Sequence, residues 1–421
     1  MRRAIGVVGT VVVAATMLAG CTGSPGAAHP SGPTLASARA LLAEQSAAVL
    51  AHDRAKFLAT LDTSSAARTF RTEQASEFSN LAGVPLGAWR YRVVGPVHDN
   101  RALRAASARY GAPVLLLDVT LGYELRGIDT VADTHDQYLS IVTRGGHALV
   151  AGNDALASEN TASWLPPWHY GPLVAAHGTA CLVLGPPGDH SRLPELAAEV
   201  DSAIAAVTAV WGTSWSRRVA VLIPSSTQEF QALSGASGTD VSAAAVTGGI
   251  DPATGRPFGQ RLVLNPAQLD GLTTTGRAIV LRHEITHLAS AADTADITPR
   301  WLVEGFADYV ANLRTGQPVR VAAAELHAVV AAGRVPVQLP ADDAFGASGS
   351  ALARAYEQSW LACRLIAQRV GQRGLVHFYR AVGTAIQTKG QAVAHGFGSV
   401  LHETQSRFTA QWRAYLKTEL S

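Results

Sequence analysis

The sequence predicts an α+β protein made of two folded units, and three observations carry that expectation. Helix-like apolar spacing near the N-terminus gives way to strand-like runs before residue 155. A break rich in proline and tryptophan, "SWLPPWHYGP", follows at 163–172. Beyond it, short strand-like runs flank helical segments, and from Gly276 onward the pattern is almost entirely helical. The 421 residues suffice for two or three domains, and with 48% apolar and 16% charged residues they can bury large cores.

The first unit spans 36–155. Leu41, Leu42, Ala48, Val49 and Leu50, then Phe57, Leu58 and Leu61, mark its opening helices. "WRYRVVGPV", "APVLLLDVTLGYEL" and "QYLSIVTRGGHALV" read as strands, the last holding a Gly-Gly hairpin turn. Helices followed by antiparallel strands resemble the nuclear transport factor 2-like fold, a curved sheet wrapped by helices. His98, Asp118, Asp129 and His135 are scattered through this unit and read as solvated polar positions rather than a catalytic set. Residues 156–170 form the linker, and the second unit is 171–421. It opens with the strands "PLVAAHG" and "ACLVLG", a helix over about 193–210, the strand "RRVAVLIP" and the short helix "TQEFQALSG". "AAAVTGGI" and "QRLVLNP" complete the strand candidates.

The N-terminus reads as a targeting segment. Arg2 and Arg3 precede an apolar run from Ala4 to Ala19, too short to span a bilayer comfortably at ~20 residues. "LAGC" closes it at Cys21 and resembles the bacterial lipobox, which implies cleavage after residue 20 and lipidation of Cys21. Residues 21–35, with "TGSPGAAHPSGPT", form a flexible tether. The expected location is the extracytoplasmic face of the cell membrane, held by N-terminal lipid (palmitate among the chains). Cys181 and Cys363 lie in apolar runs, and their spacing leaves both a disulfide and two buried thiols open. The formal charge of +2, without a lysine- or arginine-rich run, argues against a nucleic-acid partner.

The chemistry is concentrated in "RHEITHLASAADTADITPRWLVEGFADYV", residues 282–310. Ala278, Ile279, Leu281, Ile285 and Leu288 have helical spacing, with Thr275 as N-cap. His283 and His287 are four apart and share a face, so both imidazoles can reach one ion. Glu284 is rotated from His283 by about 100° and can act as general base without being a ligand. Chance alone yields such an H-E-x-x-H spacing roughly 0.015 times per chain of this length and composition. A second helix is expected after Thr298 as N-cap with Pro299 first in the helix, ending before Gly316. Its Glu304 completes a His₂Glu zinc set, and Asp308, one turn on, can accept the free ring N–H of His283.

H-E-x-x-H followed by W-L-x-E-G-x-A-x-Y resembles the gluzincins, zinc peptidases of the thermolysin and aminopeptidase N type. More narrowly, "VLRHEITHLA" with "PRWLVEGFADYV" is similar to the peptidase MA-like proteins of actinobacteria, often lipoproteins. The resemblance covers about Gly171 to Tyr415. It implies a thermolysin-like peptidase domain with a small sheet and a helical C-terminal half. It also implies that "QRLVLNP" is an edge strand that pairs with extended peptide, and that Tyr356 in "ARAYEQSW" donates to the oxyanion. The family's lysine and glycine in that helix are Gln358 and Ser359 here. The G-x-M-E-N element that holds a free amino terminus is not visible, and "VTGGID" occupies that region without its glutamate. The expectation is therefore a lipid-anchored zinc metallopeptidase acting on peptide or protein, an endopeptidase rather than an aminopeptidase. The competing reading is a metal-holding binding or scaffold lipoprotein with little turnover.

Overall fold

A computed structural model describes residues 32–157, 161–236, 241–385 and 388–421. The signal segment, Cys21 and most of the tether lie outside the described residues.

The N-terminal unit begins with α1 (Leu35–Leu50), α2 (Arg54–Ala59) and α3 (Arg68–Asn80). Next come β1 (Leu86–Pro96), α4 (Asn100–Tyr110), β2 (Leu115–Leu125), β3 (Asp133–Arg144) and β4 (His147–Gly152). The four strands form an antiparallel sheet in chain order. Gly145 and Gly146, both at positive φ, make the β3–β4 turn that the Gly-Gly pair predicted. Leu117, Val119 and Ile141 face α1–α3, while Leu116 and Val142 face α4, as period-two alternation requires.

The second unit starts with β5 (Val174–His177), β6 (Cys181–Gly185), α5 (Leu193–Trp211), β7 (Val219–Leu222) and α6 (Thr227–Ser234). β8 (Ala243–Val246), the small hairpin β9 (Gly249–Ile250) and β10 (Pro257–Phe258), β11 (Arg261–Leu264) and α7 (Pro266–Leu269) follow. The main sheet has the order β5-β6-β7-β11-β8. The edge strand beside the motif helix is thus β8, and "QRLVLNP" becomes the internal β11, parallel to β7 and antiparallel to β8. This corrects the assignment of "QRLVLNP" as edge strand. Its unbroken apolar run marks a strand buried on both faces, which an edge does not need.

The helical half comprises α8 (Thr274–Ser290), α9 (Arg300–Asn312), α10 (Val319–Ala322), α11 (Ala324–Ala331) and α12 (Gly349–Gly383). It ends with α13 (Lys389–Gly396) and α14 (Gln405–Leu420), and α12 is kinked at Gly371. Among the described residues no helix is long and apolar enough to cross a membrane.

One face of the second sheet (Cys181, Val183, Val219, Val221, Leu262, Leu264) packs with α5, α8 and α9. Its other face (Leu182, Leu184, Ala220, Leu222, Val263) joins the core of the N-terminal unit, together with Trp168 from the connecting segment. The two units therefore share buried apolar surface rather than meeting through a loose tether. Cys181 and Cys363 are buried free thiols, which decides between the two readings left open by sequence.

Candidate metal centre

α8 is capped by Thr273, whose side chain accepts the Gly276 N–H, two residues earlier than the Thr275 cap expected. Leu281, Ile285, Leu288 and Ala289 anchor its core face. α9 packs alongside, through Trp301, Leu302, Phe306 and Val310. Thr298 is not its N-cap: the Thr298 hydroxyl accepts the Ala295 N–H instead. Pro299 occupies the cap position, and the Asp342 carboxylate accepts the Arg300 N–H.

The two helices bring His283, His287 and Glu304 together. The Nε2 atoms of the histidines are 3.0 Å apart, and Glu304 Oε2 lies 3.3 Å from His283 Nε2 and 3.4 Å from His287 Nε2. Three ligands on a tetrahedral ion at about 2.0–2.1 Å would stand roughly 3.3–3.4 Å from one another. The donor spacing thus fits one zinc ion. The donor chemistry fits as well, since two imidazoles and one carboxylate suit zinc. Glu304 is buried, and its carboxyl is held well below the usual range, the two histidines outweighing the upward push of burial.

Asp308 Oδ1 is 2.8 Å from His283 Nδ1, so the ring donates there and its Nε2 faces the shared point. Burial works against a charged His283 ring, but Asp308 and Glu304 outweigh it and raise its pKa well above normal. This cluster of carboxylates thus favours positive charge at the centre.

Glu284 lies outside the three-donor set, as its rotation on the helix predicted. Its Oε2 accepts the backbone N–H of Ala245, 2.8 Å away on β8. Burial raises its pKa, against the pull of His283 and His287 and of the Ala245 N–H. A raised carboxyl suits a proton-transfer role. Tyr356, half-buried on α12, has its ring 6.1 Å from that of His283. Burial and the nearby carboxylates push its phenol well up, so the hydroxyl stays a donor. These residues line an open cleft with Val280, Leu352 and Trp360. Ser359, where the resembled family has glycine, is fully buried and packs against Gly305 of α9.

Sequence reasoning missed Ala245, since only its backbone acts and no residue type signals it. It also misread two N-terminal residues. Asp129 is buried against Arg261, and His135 stacks on Trp164 at 3.6 Å, so neither is a solvated position. His98 is exposed and Asp118 half-buried, both away from the metal centre's cleft.

No family model matches the chain, and no curated protein sequence matches it. Among solved structures it is similar to a mutant M1 zinc metallopeptidase from Deinococcus radiodurans, with 13% identity and a TM-score of 0.37, over 77% of this chain and 61% of that one. A two-domain M1 zinc metallopeptidase mutant bound to L-arginine gives 13% identity and a TM-score of 0.36, over 73% and 90% of the two chains. The Deinococcus mutant bound to a Tyr-Ser-Ala substrate gives 13% and 0.34, over 79% and 62%. The chain thus spans about three fifths of the first of these proteins.

Proposed function

We propose that this protein is a zinc metallopeptidase that hydrolyses peptide bonds with Glu284 as general base. The observation that carries the reading is the meeting of three donor atoms from α8 and α9 at zinc-ligand spacing, with Glu284 beside them but outside the set. His283, His287 and Glu304 would hold the ion. Zinc bound there supplies a Lewis acid and lowers the pKa of water toward ~7. Glu284 takes a proton from the attacking water and returns it to the leaving amine. Asp308 fixes the tautomer of His283. Tyr356, kept protonated, donates to the carbonyl oxygen as negative charge develops on it.

Four further readings belong to this proposal. "VTGGID" stands where the resembled aminopeptidases carry G-x-M-E-N and lacks its glutamate, which supports an endopeptidase over an aminopeptidase. β8, as the exposed edge, is the strand onto which an extended peptide would add. The "LAGC" segment supports lipid anchoring through Cys21 at the extracytoplasmic face. Its helices packed on an antiparallel sheet support a nuclear transport factor 2-like N-terminal domain over 36–155, joined through 156–170 to a peptidase domain over 171–421.

The test is peptide cleavage by wild type and Glu284→Gln, each loaded with zinc. Cleavage by wild type that the variant loses while keeping its zinc supports the reading. Equal cleavage by both removes Glu284 as base. No cleavage by either, with zinc bound, favours the metal-holding scaffold.

A further inference from the structure

We propose that Asp129 and Asp133 of the N-terminal unit, by clamping Arg261, position the edge strand that forms one wall of the metal cleft. The inference rests on the reading of that cleft as a peptidase site.

Arg261 opens β11 and is buried, and its guanidinium reaches across into the N-terminal unit. Its two terminal nitrogens donate to the two carboxylate oxygens of Asp129, each at 2.8 Å. One of them also lies 3.3 Å from Asp133 Oδ2, and the guanidinium carbon stands 5.4 Å from the Tyr123 ring centroid. The side chains of Arg261, Asp129 and Asp133 are only 5%, 7% and 4% exposed. A charge so buried holds its place only where its partners are fixed. Here they are fixed by other contacts. Asp129 accepts the Leu125 N–H, while Asp133 accepts the Tyr123 hydroxyl and lies 3.0 Å from His135 Nε2.

β8 depends on this arrangement because it has little of its own to hold it. It is four residues long, three of them alanine, with a single strand neighbour among the described residues. Arg261 pairs with Val246 and Leu262 with Ala245, so the clamp acts at the register position next to the residue that binds Glu284. The start of β8 is held by Asn265, which donates to Val241 O and Ser242 O. Beyond its end, Gly248 donates to Phe258 O, and the Asp133 carboxylate is packed against this neck. A Cβ at Gly248 would stand 3.1 Å from Asp133 Oδ1, and one at Gly259 only 2.3 Å. Asp133 thus grips both the end of β8 and the approach to β11. Through these contacts the N-terminal unit sets the strand whose Ala245 N–H holds Glu284 and whose outer edge faces the cleft. Asp129, Asp133 and Arg261 are positioning residues and touch neither substrate nor metal.

Two variants test this in the full chain. Arg261→Lys keeps the charge but loses the two-pronged grip, and Asp129→Asn keeps the shape but loses one charge. Zinc content, hydrogen exchange of peptides covering 241–264 and of peptides from α8 and α9, and kcat and KM for peptide cleavage are read together. The expected result is normal zinc content, faster exchange confined to 241–264, and a kcat at least tenfold lower. A folded, zinc-loaded variant with wild-type exchange in 241–264 and wild-type kcat overturns the proposal. So does exchange that rises evenly along the chain while kcat stays at the wild-type value, since that is a merely structural role. If Arg261→Lys does not fold, Asp129→Asn carries the test. If wild type cleaves nothing, the peptidase reading fails, while the exchange measurement still decides whether the clamp sets the strand.

Discussion

Gly305→Ala is a substitution whose effect runs against its usual sign. In a helix interior, replacing glycine by alanine favours folding by about 0.8–1.0 kcal/mol. In α9, however, a Cβ at 305 would lie 2.4 Å from Ser359 O, 2.5 Å from Ser359 C and 3.0 Å from Ser359 Cβ. The first two are backbone atoms of α12 and cannot rotate away. Restoring ordinary contact at 3.4 Å requires the helices to part by roughly 1 Å. Overpacking of this kind costs about 1–3 kcal/mol, so after the propensity gain the net loss of stability is roughly 0–2 kcal/mol. The larger effect falls on the metal. Glu304, one residue away, must meet two Nε2 atoms at 3.3 and 3.4 Å. Ligand atoms tolerate displacement of only about 0.2 Å, and disturbing a ligand's support typically weakens binding about 10–100-fold. A competitive zinc titration against a coloured chelator, with thermal melting alongside, reads both effects. A variant with a higher melting temperature and wild-type zinc affinity would mean that α9 and α12 absorb the added methyl without moving Glu304.

Two further outcomes follow from the same geometry. Tyr356→Phe should fold normally and bind zinc as wild type does, yet lose about 10²–10³-fold in kcat, the usual effect of removing an oxyanion donor; an unchanged kcat would make it a packing residue. Asp308→Ala frees the Nδ1–H of His283, and zinc affinity measured by chelator competition should fall about 10–100-fold with α8 and α9 intact by circular dichroism.

How much of this was legible in the sequence depended on whether a signal was local. α8 and α9 were readable because ligand spacing, apolar faces and nearby turn residues all fall within about forty residues of chain. The β3–β4 hairpin announced itself through Gly145-Gly146. α3 and α4 passed unnoticed because charged and small residues dominate them, although Asp99 and Gly111 cap α4 as the rules would have it. The order of strands is not a local property. β11, with its Leu262-Val263-Leu264 run, gave the stronger strand signal, and alanine-rich β8 the weaker, yet β8 is the edge. Arg261 and Asp129 stand 132 residues apart, and no motif links them. Only the shared core and the burial of all three charges reveal that Asp129 and Asp133 serve the second unit.

The claim on which the rest depends is that His283, His287 and Glu304 form one zinc site. Metal content per chain, measured on wild type, Glu304→Ala and Glu284→Gln purified side by side, addresses it directly. One zinc per chain is expected in wild type and in Glu284→Gln, and essentially none in Glu304→Ala. Zinc retained at one per chain in Glu304→Ala, or no zinc in a well-folded wild type given the metal, would mean that these three residues do not form the site.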